Sequence, residues 1–537
     1  MKRASGFLLA CGAALLGVGA SSSEAAVGDL KFRGCLANDS AQGCVDVPNS
    51  PMGSRDVVVS PDGRSVYVSG FDPVTPANGI IAEFDRAADG SLTYLGCVAD
   101  NAAQGCVDLP GAPLRGVYGL EVSNGSLYAA SPNASSLSHF TRAPDGSLTF
   151  GGCLADTAVD GCALVDGANT PMEFAFESKL SPDGSLLYLR AYNNVSSGGS
   201  LVRFSIGAGG APSYLSCIAD FAGNGCTSSG GGRMRGGGGI GVTEGSIYAP
   251  GSTFNVVNRY GRPGFVFGQC LSDVAIVGCT ALGSETGLIN ATAVSPDGTS
   301  MYIAGDELSA GIVTQFALGA GGKMTLVGCQ ADSQAGCLDL PNSPLGGATD
   351  VAVSPDGASA YVTGTGVATF RAGPDGQLTY ASCLANDVTQ GCAVVPGGPL
   401  AGADHVAVSP DGRNAYVVSL DSKSLSVFER ETPATATLDL ALDAKGKQRV
   451  GKLAVKATCS TACDVDVRAK GRAGKKFKSK LAEGTLEAGV ATKLKLKLKR
   501  NVLRKVDDRK GKVTFVATAT TPAGASADDT AKSKLKP

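Results

Sequence analysis

Tryptophan is absent from the 537 residues, and histidine occurs only twice, as His139 and His405. Zinc sites need ligands clustered at short CxxC-type spacing, usually with histidines, so two histidines and cysteines about nine residues apart point away from zinc. Charged residues make up 18% of the chain with a formal balance of −2. Its basic segments lack interleaved aromatics, so no nucleic-acid partner is expected. After residue 25 no apolar run is long enough to cross a bilayer as a helix. With so few aromatics, the core must rest on Val, Leu, Ile, Ala, Tyr and Phe.

The compartment is written at the N-terminus and in the cysteines. Residues Met1–Ala25 carry Lys2 and Arg3, then an apolar run from Phe7 to Val18, then Ser23-Glu24-Ala25 as a small-x-small cleavage site. This pattern reads as a secretory signal, so the mature chain is expected to be secreted or associated with the cell envelope. Leu8-Leu9-Ala10-Cys11 lies too early to serve as a lipoprotein box. Fourteen of the 17 cysteines fall in pairs of similar spacing: Cys35 with Cys44, Cys97 with Cys106, Cys153 with Cys162, Cys217 with Cys226, Cys270 with Cys279, Cys329 with Cys337 and Cys383 with Cys392. Together with the pair Cys459 and Cys463 they are expected as local disulfides, each worth about 2–3 kcal/mol in the loop-entropy picture.

Glycine, by contrast, is abundant at 75 residues and sits between periodic apolar runs, as tight turns require. One phrase organises the chain: Val57-Val58-Val59-Ser60-Pro61-Asp62-Gly63, followed by Arg64-Ser65-Val66-Tyr67-Val68. It reads as a β-hairpin and returns around Tyr128, Tyr188, Tyr248, Tyr302, Tyr361 and Tyr416, roughly 53 to 63 residues apart. A third and a fourth strand follow each hairpin, as in Ile80 to Arg86 and Ser91 to Cys97. Four antiparallel strands per repeat make a propeller blade, and seven blades close a ring. Gly28 to Cys35 is a fourth strand without its three predecessors, and Asp404 to Arg430 supplies three strands without a fourth. The two ends are expected to complete one blade and remove two open edges.

The recurring SPDG-x-x-x-Tyr phrase resembles the YVTN and lactonase-like family of seven-bladed propellers, over about Gly28 to Arg430. The resemblance implies the ring fold and either a lactonase-like hydrolase or a binding protein. The chain departs from it in carrying a cysteine loop in every blade and no histidine-rich first strands. Residues 434–537 hold about 25 basic and 10 acidic residues, and their short alternating runs resemble the Ig-like sandwich appended to exported bacterial proteins.

In a propeller the first strand of each blade lines the central channel. Four residues before each hairpin Ser or Thr stand Asp56, Gly119, Glu177, Gly239, Ala291, Asp350 and His405. Before these stand Arg55, Tyr118, Phe176, Gly238, Asn290, Thr349 and Asp404. The cysteine loops are expected to ring the channel mouth above them. Within this set His405 is the candidate base and Arg55 the carbonyl polariser, with Asp56, Tyr118, Glu177, Asn290, Asp350 and Asp404 binding ligand. No dedicated metal site is expected, although the carboxylates could take calcium. The Asx residue three after each first cysteine, from Asn38 and Asp100 to Asn386, is expected to close a local turn. The insert Gly230 to Gly239 reads as a flexible surface loop. The expected function is an exported monomeric binding protein, using its disulfide-looped face for a protein, glycan or small-molecule ligand. Its basic C-terminal domain would meet an anionic cell-envelope polymer. The alternative is a lactonase-like hydrolase at the channel mouth.

Overall fold

The computed structural model describes residues 27–536 apart from 41, 50, 73–76, 158–160, 167–168, 194–197, 222–223, 231–232, 308–309, 389, 433–438, 461–462, 487–488, 507–508 and 521–525. The signal segment with Cys11, and Gly231-Gly232 of the glycine insert, lie outside the described residues. The chain divides into two compact units between Glu431 and Thr432.

The first unit is a seven-bladed β-propeller, built of seven five-stranded sheets whose inner strands pack side by side around an axis. Each hairpin turn is made by its own residues. Ser60 Oγ donates to Asp62 Oδ1 at 2.6 Å, and Gly63, at φ 69°, closes the turn back onto the Ser60 carbonyl. The hairpin tyrosines are fully buried and reach the next blade, where Tyr67 Oη donates to the Gly146 carbonyl at 2.7 Å. Arg142 of that next blade donates to Tyr67 Oη and to both oxygens of Asp62. The same clamp recurs as Arg86 on Tyr416 and Asp411, and as Arg430 on Tyr361 and Asp356. The recurrent phrase therefore joins blades as well as turning a hairpin.

The ring closes through its termini. Leu30–Ala37 pairs antiparallel with Ser424–Arg430, Leu30 opposite Arg430 and Ala37 opposite Ser424. This strand completes the sheet whose inner strand is Ala403–Val408, and that strand packs against Ser54–Val59 of the first full blade.

The blades hold five strands where four were expected. After the fourth strand the chain reverses through the cysteine loop and adds a two-residue parallel strand, such as Val107–Asp108 beside Leu92–Ala99. Parallel neighbours ordinarily need a crossover of a dozen residues or more. Here a disulfide joins the two chains directly. The expected bridges form in every blade, as Cys35–Cys44, Cys97–Cys106, Cys153–Cys162, Cys217–Cys226, Cys270–Cys279, Cys329–Cys337 and Cys383–Cys392, with 4.5–4.8 Å between Cα atoms. Dipeptides as short as Val-Asp carry no period-2 signal, which is why sequence reading overlooks them.

The position of these bridges corrects the expectation that the cysteine loops ring the channel mouth. Cys44, Cys106, Cys162, Cys226, Cys279, Cys337 and Cys392 each stand immediately before the added fifth strand, and that strand is the outermost of its sheet. Their partners lie in the fourth strands, the next ones in. The loop therefore begins and ends at the outer edge of the blade, and a separate crossing segment carries the chain back to the next inner strand. Among the described residues no cysteine lines the channel.

The Asx residues likewise act over a longer range than a local turn. Asp100 accepts from Gly79 N–H and Leu114 N–H, Asp220 from Gly199 and Met234, Asn38 from Met52 and Asn386 from Leu400, all at 2.7–2.9 Å. Each pins the segment that crosses from the outer edge of one blade to the inner strand of the next.

The second unit is a β-sandwich of a three-stranded and a six-stranded sheet. Alternation along Cys463–Ala473 and Gly511–Thr520 turns Val465, Val467, Ala469, Val513 and Phe515 into its core, which also buries the Cys459–Cys463 disulfide. Of the alternating lysine run Lys493 to Lys499, only the part up to Leu496 is strand. Arg500–Val506 is a short α-helix, because Val502, Leu503 and Val506 share a face on that core.

Candidate functional site

Four of the seven inner strands enter the channel through β-bulges. Pairing slips between Ser54 and Asp56, Ala175 and Glu177, Ile289 and Ala291, and Ala403 and His405. A regular strand sends successive side chains to opposite faces, whereas the extra residue of a bulge re-aims one of them. Consecutive residues thereby face one cavity of about 1100 Å³ along the axis, among them Phe176-Glu177, Asn290-Ala291 and Asp404-His405. At the strand starts the cavity is polar and rimmed by Phe71, Tyr118, Phe174, Phe176 and Tyr192. Towards the hairpin turns it is walled by Val59, Val122, Val294 and Val353.

Asp56, Tyr118, Glu177, Asn290, Asp350, Asp404 and His405 all line this cavity, and Arg55 lies just behind it. The Arg55 guanidinium stacks between Phe71 and Tyr118, at 4.8 and 5.3 Å from their ring centres, and reaches Asp404 Oδ2 at 3.5 Å. Asn290 donates to Asp306 and to the Ala348 carbonyl. The carboxylates also join blades. Asp56 accepts from Leu120 N–H at 2.7 Å, Glu177 from Ile240 N–H at 3.2 Å and Asp350 from Val406 N–H at 3.0 Å. Each therefore caps the inner strand of the following blade and keeps its other oxygen for its own surroundings. At the equivalent position Gly119 has no room for a side chain, since a Cβ would lie 2.5 Å from the Phe176 carbonyl oxygen.

The electrostatics separate the titrating groups. Burial opposes charge on His405, but Asp350, Asp56, Asp404 and Glu177 together outweigh it and push the imidazole up to about 9. Its Nδ1 lies 3.9 Å from Asp404 Oδ2, and its ring stands edge-on to Tyr118 at 5.8 Å between centres. Burial pushes Glu177 up to about 7, against the opposing pull of Lys179, the Ile240 N–H and His405. Burial likewise raises Asp56 and holds the Tyr118 hydroxyl well above its ordinary range, Asp404 adding to the latter. Among the described residues no three His, Cys, Asp or Glu side chains converge as a metal site. His139 lies away from the cavity, in a third strand, where its Nε2 is 3.1 Å from Ser126 Oγ.

Two features of the cavity escaped the sequence reading. Glu121 and Lys179 line it, paired at 3.4 Å, and Glu121 leads the influences that raise the Lys179 ammonium. Each stands two residues beyond a predicted mouth position, so the period of two along the inner strands was the signal that would have found them. The second feature is the glycine segment, which proves to be cavity wall at Gly236, Gly237 and Gly238. Beneath it the fully buried Arg190 donates to the carbonyls of Met234 at 3.1 Å, Gly236 at 3.4 Å and Pro250 at 2.6 Å. That anchor replaces the expected flexible surface loop, and nothing in the local sequence links Arg190 to residues more than forty positions away.

No protein-family model matches the chain, and no curated protein matches it. Solved structures similar to it include a Bacteroides fragilis protein described as a candidate 6-phosphogluconolactonase, at 16% identity, covering 61% of this chain and 82% of that one with a TM-score of 0.42. A periplasmic gluconolactonase of Pseudomonas aeruginosa aligns at 15% identity, covering 62% of this chain and 85% of its own, with a TM-score of 0.38. The Dos1 propeller aligns at 12% identity over 70% of this chain and 77% of its own, with a TM-score of 0.41.

Proposed function

We propose that this protein is an exported hydrolase of the lactonase-like class, opening a cyclic ester held at the polar end of the channel. One observation carries the reading: Glu177, held at about 7, and His405, held at about 9, face the same cavity. Groups whose surroundings set their pKa values apart are the usual signature of acid and base roles. The sequence reading made His405 the base, but an imidazole protonated at neutral pH has no lone pair to accept a proton. The proposal therefore gives that role to Glu177.

The Glu177 carboxylate takes a proton from water as the water oxygen attacks the lactone carbonyl carbon. The His405 imidazolium donates a hydrogen bond to the carbonyl oxygen as negative charge gathers there, a contribution that grows in the transition state. Collapse of the tetrahedral intermediate breaks the ring C–O bond. The proton held by Glu177 passes to the leaving oxygen, so lactone and water give a hydroxy acid. Arg55 fixes Asp404 beside His405 and is a positioning residue. The disulfides of the blades and of the C-terminal unit suit an oxidising compartment, in keeping with export.

The test is turnover of a panel of sugar lactones by the mature protein. Glu177→Gln and His405→Gln are each expected to lower kcat/KM at least 100-fold while the chain still folds, Glu177→Gln melting no lower than wild type. Absence of turnover across the panel, or activity retained in both variants, would overturn the reading. The five aromatic side chains at the rim favour a second reading, a non-catalytic site for a glycan or small molecule. Saturable ligand binding without turnover would select it.

A further inference from the structure

The outer face of the six-stranded sheet in the C-terminal unit sorts its charges by sign. Register places Lys476 opposite Arg472, Arg472 opposite Lys512, Lys512 opposite Lys534 and Lys534 opposite Lys447. All five are exposed, and they form one row across five strands. A second row carries Lys478, Lys470 and Lys532 beside Thr514. Towards the other end of the same face the carboxylates form a row of their own, with Glu483 opposite Asp466, and Thr518 between Asp466 and Asp528. Among the described residues no carboxylate lies within ion-pair distance of either basic row.

Like charges directly opposite one another destabilise a sheet, and an ordinary solvated surface mixes the signs. Asp466 and Asp528 stand on strands that carry both rows, four residues from one row and six from the other. A face organised in this way holds its cations for something outside the chain. Strands about 4.8 Å apart give the five-cation row a length of about 19 Å with a positive charge at each step, on the scale of one sugar residue. The large apolar side chains exposed in this unit, Leu481 and Val490, belong to neither row, so the face has nothing to insert into a bilayer. It also has no aromatic ring on which a base could stack.

We infer that this face binds a linear anionic polysaccharide of the cell exterior, laid across the strands along the row from Lys476 to Lys447. The inference is independent of the channel chemistry. Its test uses the full mature chain with polygalacturonate as the probe, followed by calorimetry at low and high salt. Binding is expected at low salt and is expected to weaken at least tenfold as screening rises. Arg472→Gln/Lys512→Gln/Lys534→Gln is expected to lose at least tenfold in affinity. Lys493→Gln/Lys495→Gln/Lys497→Gln, the same change in net charge in and beside the three-stranded sheet, is expected to stay within threefold of wild type. Should the first triple variant fail to fold, Lys512→Gln alone is expected to lose two- to threefold. Equal losses in the two triple variants would overturn the inference. So would an absence of polygalacturonate binding, or equal affinity for duplex DNA or for vesicles rich in anionic lipid.

Discussion

Asp156 offers a test of the crossover staples, in which removing a charge should strengthen the fold. Its carboxyl is buried, accepts the Met172 N–H at 3.0 Å, and is pushed by burial from an ordinary 3.8 to about 7, with Glu173 adding to the rise. A carboxyl raised in the folded state favours folding in its protonated form. Its contribution is full below about pH 4, declines as pH rises to about 7 and stays lost above. A rise of that size corresponds to about 4 kcal/mol, an upper bound that relaxation and water penetration reduce to about 2 kcal/mol. Asp156→Asn keeps an acceptor oxygen and removes the titration, and the chain already uses Asn38 and Asn386 in this role. A propeller of about 400 residues unfolds with an entropy near 0.8 kcal/mol/K, so the variant should melt about 2–3 °C above wild type at pH 8. The two should converge at pH 4. Calorimetry from pH 4 to 8 measures the difference. A variant that melts below wild type at every pH would show that the Met172 N–H needs the ionised carboxylate, and would refute the reasoning.

Other outcomes follow from the same geometry. Deleting residues 29–35 removes the strand that completes the closing blade, and is expected to lower the melting temperature of the whole propeller by more than 10 °C; a deletion melting with wild type would contradict strand closure. Arg430 is fully buried on Asp356, whose side chain is 36% exposed. Arg430→Met is therefore expected to cost about 2–3 kcal/mol, towards the low end for a broken buried pair. Arg371→Met, which breaks the more exposed pair with Asp29, should cost under about 1 kcal/mol by the same chemical-denaturation assay. Asp356 is held below its ordinary range, burial notwithstanding, by Ser354, the Ala358 N–H and Arg430. Its contribution is thus present at neutral pH and is lost as pH falls through the acid range, and Arg430→Met should flatten that loss.

The ring was legible because its signals are local and repeated. Ser60-Pro61-Asp62-Gly63 makes its own turn, the tyrosine period counts the blades, and the incomplete ends declare the shared blade. The mouth residues were legible for a related reason, since a fixed offset from each hairpin lands at the start of the inner strand, on a bulge in four of the blades. The cysteine pairs were legible from spacing alone, but not their place at the rim, which depends on the fifth strand. What escaped the reading depends on distance in space. Val107–Asp108 becomes a strand only because the Cys97–Cys106 disulfide lays it against Leu92–Ala99. Gly236 to Gly238 become cavity wall only because Arg190, from the preceding blade, holds the backbone from below. The proposal moves the base role from His405 to Glu177 for an electrostatic reason. Four carboxylates from four blades converge on His405, and no single stretch of sequence contains their sum.

The pH dependence of kcat/KM for a hydrolysed lactone tests the central claim most directly, because it reads the proposed base and the proposed cation in one experiment. Ionisation of Glu177 should raise the rate through about pH 7, and deprotonation of His405 should lower it above about pH 9. Glu177→Gln should abolish the lower limb and His405→Gln the upper one. A profile that lacks both limbs in the wild-type protein, or keeps both in these variants, would contradict the account.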